Sequence, residues 1–170
     1  QFKLEAAIID RRPEFEMANR KLLHMIDFER GVFCYDGSEY EMTDTFFPTI
    51  DPKNPYQLTP DEQELVEKIH ISFINSEKLK KHMRCLFTYG GMYLVCNNNL
   101  LYHASIPMNA DGSFKHVKIG GNEYWGEKLL AKSDQLIRTA YFGEEGDDKD
   151  YALDFVWYMW CGSNSPLFDK

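Results

Sequence analysis

His103 is the residue in this 170-residue chain best placed to do chemistry. It follows directly on an apolar run, Asn99-Leu100-Leu101-Tyr102, and is followed by the small residues Ala104 and Ser105, then Ile106-Pro107. A side chain at the end of a strand is held by the sheet, and small residues after it let a metal ion or a phosphate approach. Spacing alone leaves two readings, a ligand or a histidine satisfied at a strand end. His24, His70, His82 and His116 fall on predicted helix faces or a strand edge, without carboxylates at ligand spacing, and read as structural. A second candidate is Trp157-Tyr158-Met159-Trp160-Cys161-Gly162-Ser163-Asn164-Ser165. A helix ending in aromatics before a small polar loop can line a cleft, with Asn164 and Ser165 as hydrogen-bonding groups. It can equally be a helix packed into the core by its tryptophans and then stopped. Asp154 within it is either a supporting carboxylate or part of a solvated face. Arg84, flanked by His82 and Met83, has the chemistry to reach a phosphate, or is an ordinary exposed helix arginine. Three common signatures are absent: Gly-x-x-x-x-Gly-Lys, Gly-x-Ser-x-Gly and His-Glu-x-x-His. A dinuclear metal site needs several Asp and His ligands converging on ions roughly 3.5–4 Å apart. One well-placed histidine does not build it.

The elements that would position these residues are mixed α and β. Gln1 to Ile9 reads as the end of a helix that Pro13 stops, and a short helical stretch runs through Leu22, Leu23 and Ile26. Asp36-Gly37 between aromatic-rich runs predicts a tight hairpin. The Pro-rich stretch from Thr43 to Pro60 reads as an ordered surface loop. Thr59-Pro60-Asp61-Glu62 is a helix start with a capping box, and Leu65, Ile69 and Phe73 are expected to form a buried stripe. Ser76 starts a second helix with Leu79, Met83, Leu86 and Phe87 facing inward, stopped by Gly90-Gly91. A second hairpin turns at Asn97-Asn98-Asn99, and a strand runs from about Phe114 to Ile119 between glycine turns. Gly126 to Tyr141 is a helix with Leu129, Leu130, Leu136, Ile137 and Tyr141 on its apolar side. The acidic run Glu144 to Asp150 favours the N-terminus of a last helix, through Trp160. The predicted layout is a region over 1–58 (helix, hairpin, Pro-rich loop) and one over 59–170 (helical pair, His-bearing hairpin, C-terminal helices).

Composition sets the outer bounds. Hydrophobic residues are 44% and charged residues 27%, which is globular rather than disordered. Nineteen basic against twenty-seven acidic residues give a net charge of −8, which disfavours nucleic acid and anionic membrane surfaces as partners. Cys34, Cys85, Cys96 and Cys161 show neither Cys-x-x-Cys nor dense spacing, and are expected as reduced, mostly core thiols of a cytoplasmic protein. No apolar run approaches the ~20 residues of a membrane span. The first residue is Gln1, not Met, so the sequence looks like a piece of a longer protein.

Four runs taken together are far more specific than any short motif: TDTFFPTIDPKNPYQLT, FINSEKLKKHMRCLF, GGMYLVCNNNLLYHASIPMNADGSFK and LDFVWYMWCGSNSPLF. In this order they resemble the class III fructose-1,6-bisphosphatases of bacteria, and the resemblance covers essentially all 170 residues. It implies part of a calcineurin-like metallophosphoesterase sandwich with helical and hairpin insertions. It also implies a pair of divalent metals, usually manganese, that activate water against a phosphate ester. The superfamily's strand-then-His element matches Leu100-Leu101-Tyr102-His103-Ala104, which makes His103 a metal ligand by resemblance; most relatives have Gly where Ala104 stands. The motifs Asp-x-His, Gly-Asp-x-x-Asp-Arg-Gly, Gly-Asn-His-Asp and the later Gly-His are not in this chain. Most ligands of the dinuclear Mn2+ site would therefore lie outside it. Arg84, Asn164 and Ser165 are the candidates for substrate contact. The implied partners are a sugar bisphosphate and the remainder of the same polypeptide, with a homo-oligomer left open. The competing reading is a structural or subunit-interaction module, inactive on its own.

Overall fold

The computed structural model describes residues 1–168, and the chain folds as two units, Gln1–Ser76 and Glu77–Lys170. In the first unit α1 (Phe2–Arg11) stops where Arg12 leaves helical geometry ahead of Pro13. Its inner face buries Ala6 and Ile9 with Phe15, Met17, Leu23 and Val32. Glu5 is also buried, and its carboxylate is held by the Arg20 guanidinium at 3.1 Å and the Gln1 amide at 2.7 Å. A buried carboxylate without such partners would cost several kcal/mol, so Arg20 is what lets Glu5 stay inside.

Short 3₁₀ turns at Pro13–Phe15, Ala18–Arg20 and Leu22–Met25 lead into a three-stranded antiparallel sheet: β1 (Ile26–Asp27), β2 (Val32–Tyr35) and β3 (Ser38–Glu41). Ile26 is thus the first residue of a strand, not the end of a helix as its spacing suggested, because it pairs with Phe33. Tyr35 pairs with Ser38 across Asp36-Gly37, and both turn residues have positive φ (49° and 74°), the twist a two-residue hairpin needs. The Pro-rich loop carries no strand or helix but is tied down. Thr49 O accepts from Lys3 Nζ at 2.6 Å, Tyr56 Oη accepts from the His24 backbone N–H at 3.3 Å, and Phe47 meets Phe28 edge-on.

α2 (Pro60–Ile74) starts as its sequence predicts. Thr59 Oγ1 accepts from Glu62 N, and Glu62 Oε2 accepts from Thr59 N at 2.8 Å. Lys3 Nζ also reaches Glu62 at 2.7 Å. The Lys3 ammonium and the Thr59 N–H together push the Glu62 carboxyl down to about 2. The stripe expected to be buried is not: Leu65, Ile69 and Phe73 are 57%, 49% and 60% exposed. Helical periodicity marks a face that wants cover, and no element of this unit supplies it.

The second unit opens with α3 (Glu77–Tyr89), which has no fully buried residue; Leu79, Met83 and Phe87 are half-covered and Leu86 is exposed, so the inward face predicted there is only partly formed. The hairpins β4 (Tyr93–Cys96) with β5 (Asn99–Tyr102), and β6 (Val117–Ile119) with β7 (Asn122–Tyr124), follow. Phe114, expected within a strand, makes only an isolated bridge to Met108. The core lies between α4 (Gly126–Phe142) and α5 (Asp147–Cys161). Leu129, Leu130, Leu136 and Ala140 meet Ala152, Phe155, Tyr158 and Met159, with Val117 and Ile119 buried beside them. The α5 N-terminus carries Asp147, Asp148 and Asp150, favourably placed for the helix dipole. The thiols depart from expectation: Cys34, Cys85 and Cys96 are exposed and only Cys161 is half-buried. Each of the three exposed cysteines sits on an element that this chain leaves uncovered on that side. Among the described residues, no helix is long and apolar enough to cross a membrane.

Two outcomes test this arrangement. Phe155→Ala, which empties a site now 1% exposed, is expected to destabilise the second unit by about 3–5 kcal/mol in denaturant unfolding. Leu153→Ala, on the exposed side of the same helix, should stay within about 0.5 kcal/mol. Because Glu62 is held below its ordinary value of 4.5, its contribution is present above that value and is lost as pH falls toward about 2. Acid unfolding followed by circular dichroism should therefore show a flatter dependence over that window in Glu62→Gln than in the parent.

Candidate functional site

His103 stands at the C-terminal end of β5, exposed, and makes no hydrogen bond among the described residues. The strand leading to it is held by register: Tyr102 pairs with Tyr93 on β4, and the Tyr93 phenol donates to Glu127 Oε1 on α4 at 2.9 Å. That bond, with the Glu127 charge behind it, raises the Tyr93 phenol above its ordinary range. The base of the hairpin is fixed from the other end of α4. Arg138 donates to Gly90 O at 2.8 Å and to Phe87 O, while its Nε donates to Asp134 at 2.6 Å. Phe87 and Gly90 lie around the end of α3, where backbone acceptors lack intrahelical partners, and a guanidinium satisfies two at once. Tyr141, one turn on, packs its ring against Phe87 and donates to Lys80 O at 3.3 Å.

Beyond His103 the loop is caught a second time. Ser105 N donates to Pro166 O at 3.3 Å, and Ser105 Oγ to Ser165 O at 3.5 Å. The turn after α5 that carries Asn164 and Ser165 is therefore brought against the loop after His103, although sixty residues separate them in sequence. Within that turn Asn164 is half-buried. Ser165 is 1% exposed, and its hydroxyl donates to Met159 O at 2.7 Å and accepts from Leu167 N at 3.0 Å. Trp160 projects into solvent while Tyr158 and Met159 are buried, so this helix end is packed by its tyrosine and methionine more than by that tryptophan. Asp154 is 3% exposed, which excludes the solvated-face reading. Arg84 lies exposed on α3, and no hydrogen bond among the described residues joins it to the His103 loop.

One cluster gave no signal in the sequence. His116 Nδ1 lies 2.9 Å from Glu123 Oε2 across the β6–β7 hairpin, and its ring stacks on Trp125 at 4.3 Å between centroids, with Lys128 over the same indole. The carboxylate is seven residues away, outside any helical ligand spacing; only the hairpin pairing of Lys118 with Glu123 reveals it.

Among the described residues, no group of three or more His, Cys, Asp or Glu side chains converges to hold a metal ion. His103 offers one imidazole at a rigid strand end, which suits one coordination position and no more. A strand-end histidine on an α/β scaffold, braced on both sides but short of partners, is the mark of a shared site. The comparison with known proteins agrees. A family model described as Firmicute fructose-1,6-bisphosphatase matches residues 1–170, and the chain belongs to that family. Among its relatives, the class 3 fructose-1,6-bisphosphatase of Bacteroides thetaiotaomicron is 76% identical over 171 residues, covering 100% of this chain and 26% of the relative. Those of Phocaeicola vulgatus and Clostridium beijerinckii are 59% and 54% identical, covering 100% and 99% of the chain and 26% of each relative. The chain spans about a quarter of the length of the curated relatives it matches. No solved structure matches.

The bracing by Arg138 can be tested directly. Replacing Arg138 with Gln removes the charge and the fork that hold Phe87 O and Gly90 O. Amide exchange in the last turn of α3 and at Gly90–Met92 is expected to accelerate about tenfold, with the α5 amides unchanged.

Proposed function

We propose that the protein carrying this chain hydrolyses fructose 1,6-bisphosphate to fructose 6-phosphate and phosphate, a step of gluconeogenesis in the cytoplasm. What carries the reading is the match of every residue of the chain to a fructose-1,6-bisphosphatase family, supported by the 76% identity to the Bacteroides thetaiotaomicron relative. A water oxygen forms the new P–O bond in line with the bond from phosphorus to the sugar's C1 oxygen, which breaks, and that oxygen leaves with a proton. A pair of Mn2+ ions, when bound, would lower the pKa of the attacking water and offset phosphoryl charge. His103 is one ligand, its free imidazole presented by β5, and the other ligands come from outside these residues. Arg84 and Asn164 are the substrate contacts this reading assigns, a guanidinium for phosphate and an amide for a sugar hydroxyl. Ser165, the third residue assigned to the substrate side, meets it through the turn its hydroxyl ties rather than through a free hydroxyl.

One observation favours a second reading, a subunit-contact module whose chemistry lies elsewhere. The α2 stripe and the β4–β5 hairpin, with Leu94, Val95, Leu100 and Leu101 all exposed, present more apolar surface than a free-standing domain ordinarily shows. Phosphate release from fructose 1,6-bisphosphate with Mn2+, by a full-length family enzyme carrying these residues and by its His103→Ala form, separates the two. The expected result is activity in the parent and a loss of about a hundredfold or more in the variant, since even residues behind a metal ligand cost about 10–100-fold. An unchanged variant would remove His103 from the site. A folded, metal-loaded parent without activity would favour the module.

A further inference from the structure

One buried hydroxyl near His103 has no part in the proposed reaction. Ser165 is 1% exposed, and both hydrogen-bonding roles of its Oγ are taken: it donates to Met159 O at 2.7 Å and accepts from Leu167 N at 3.0 Å. Its own N–H donates to Gly162 O at 3.0 Å, and Pro166 beside it is fully buried. Those bonds knot the chain as it leaves α5 into one conformation. The two carbonyls this knot turns outward, Ser165 O and Pro166 O, are the ones that receive the Ser105 hydroxyl and N–H. Ser105 is two residues beyond His103, and on the near side Tyr102 is already fixed through Tyr93 and Glu127. The strand-end loop therefore has two anchors, one on α4 and one on the turn after α5, with the imidazole between them.

We propose that Ser165 is a positioning residue for His103: by tying the turn at Gly162–Leu167 it sets the carbonyls that hold Ser105, and so the place of the imidazole. This rests on the reading of His103 as a metal ligand. The division of labour follows from chemistry. A hydroxyl that donates and accepts at once inside the protein has no free capacity for a sugar phosphate. A ligand displaced by about 1 Å loses much of its worth, so fixing the backbone beside it is a task worth a buried side chain.

The test uses a full-length family enzyme carrying these residues, with Ser165→Ala and His103→Ala, and reads two quantities other than turnover. One is Mn2+ affinity by calorimetry; the other is amide hydrogen exchange over residues 103–107. Ser165→Ala is expected to weaken Mn2+ binding about tenfold or more and to accelerate exchange at Ser105, while α4 keeps its protection. A hydroxyl that served stability alone would lower the unfolding midpoint and leave Mn2+ affinity of the folded enzyme where it was, and that result overturns the proposal. His103→Ala separates the two levels. If it too leaves Mn2+ affinity unchanged, the ligand reading fails and takes the proposal with it; if it weakens binding while Ser165→Ala does not, only the positioning role falls. Should Ser165→Ala also lose protection in α4, Ser105→Ala carries the test. It removes one side-chain bond and leaves the knot intact, with an expected weakening of about two- to tenfold, and unchanged affinity there overturns the proposal.

Discussion

The packing of α4 against α5 is the constraint on which the second unit depends. Leu129, Leu130, Leu136, Phe155 and Met159 exclude water along one seam, and each helix then offers its remaining faces as a mount. From α4, Glu127 and Arg138 reach out near opposite ends, to Tyr93 on β4 and to the carbonyls at the close of α3. From α5 comes the turn that meets Ser105. These are modest bonds individually, each worth about a kcal/mol at best in water. They matter because all of them start from a rigid seam, so the hairpin between them inherits its position from the core.

The first unit is built around a different compromise. Glu5 sits inside with its carboxylate claimed by Arg20 and Gln1, and Lys3 spans Thr49 O and Glu62. Polar side chains of one helix thereby tie a long loop and the start of α2 to α1, doing for a segment without regular structure what ladder bonds do for a sheet. α2 itself is well begun and poorly covered. A good N-terminus fixes where a helix starts; it says nothing about whether another element arrives to bury its apolar side.

That contrast explains what was legible in the sequence. Asp36-Gly37, the Thr59–Glu62 capping box, Gly90-Gly91 and the acidic start of α5 are local devices whose partners lie within a few residues, and each acts in the structure as its chemistry dictates. Burial is not local. Leu65, Ile69 and Phe73 have the right period but no neighbour, and three cysteines read as core stand at the surface for the same reason. Pairings between distant residues were invisible for the complementary reason: Ser105 with Ser165, His116 with Glu123, and Tyr93 with Glu127 all depend on a turn or a packing seam that no spacing rule encodes. The site was half legible. His103 announced itself by standing at the end of an apolar run, whereas the residues that hold it in place did not.

The three exposed thiols carry a consequence for the chain in solution. Cys34 on β2, Cys85 on α3 and Cys96 on β4 point outward from three separate elements. A protein with one accessible thiol stops at a dimer when air oxidises it. With three, each molecule can link to several others, so the product is a branched network whose size grows with time and concentration. Wherever neighbouring polypeptide shields those elements, the same chemistry is shut off without any change in the cysteines themselves.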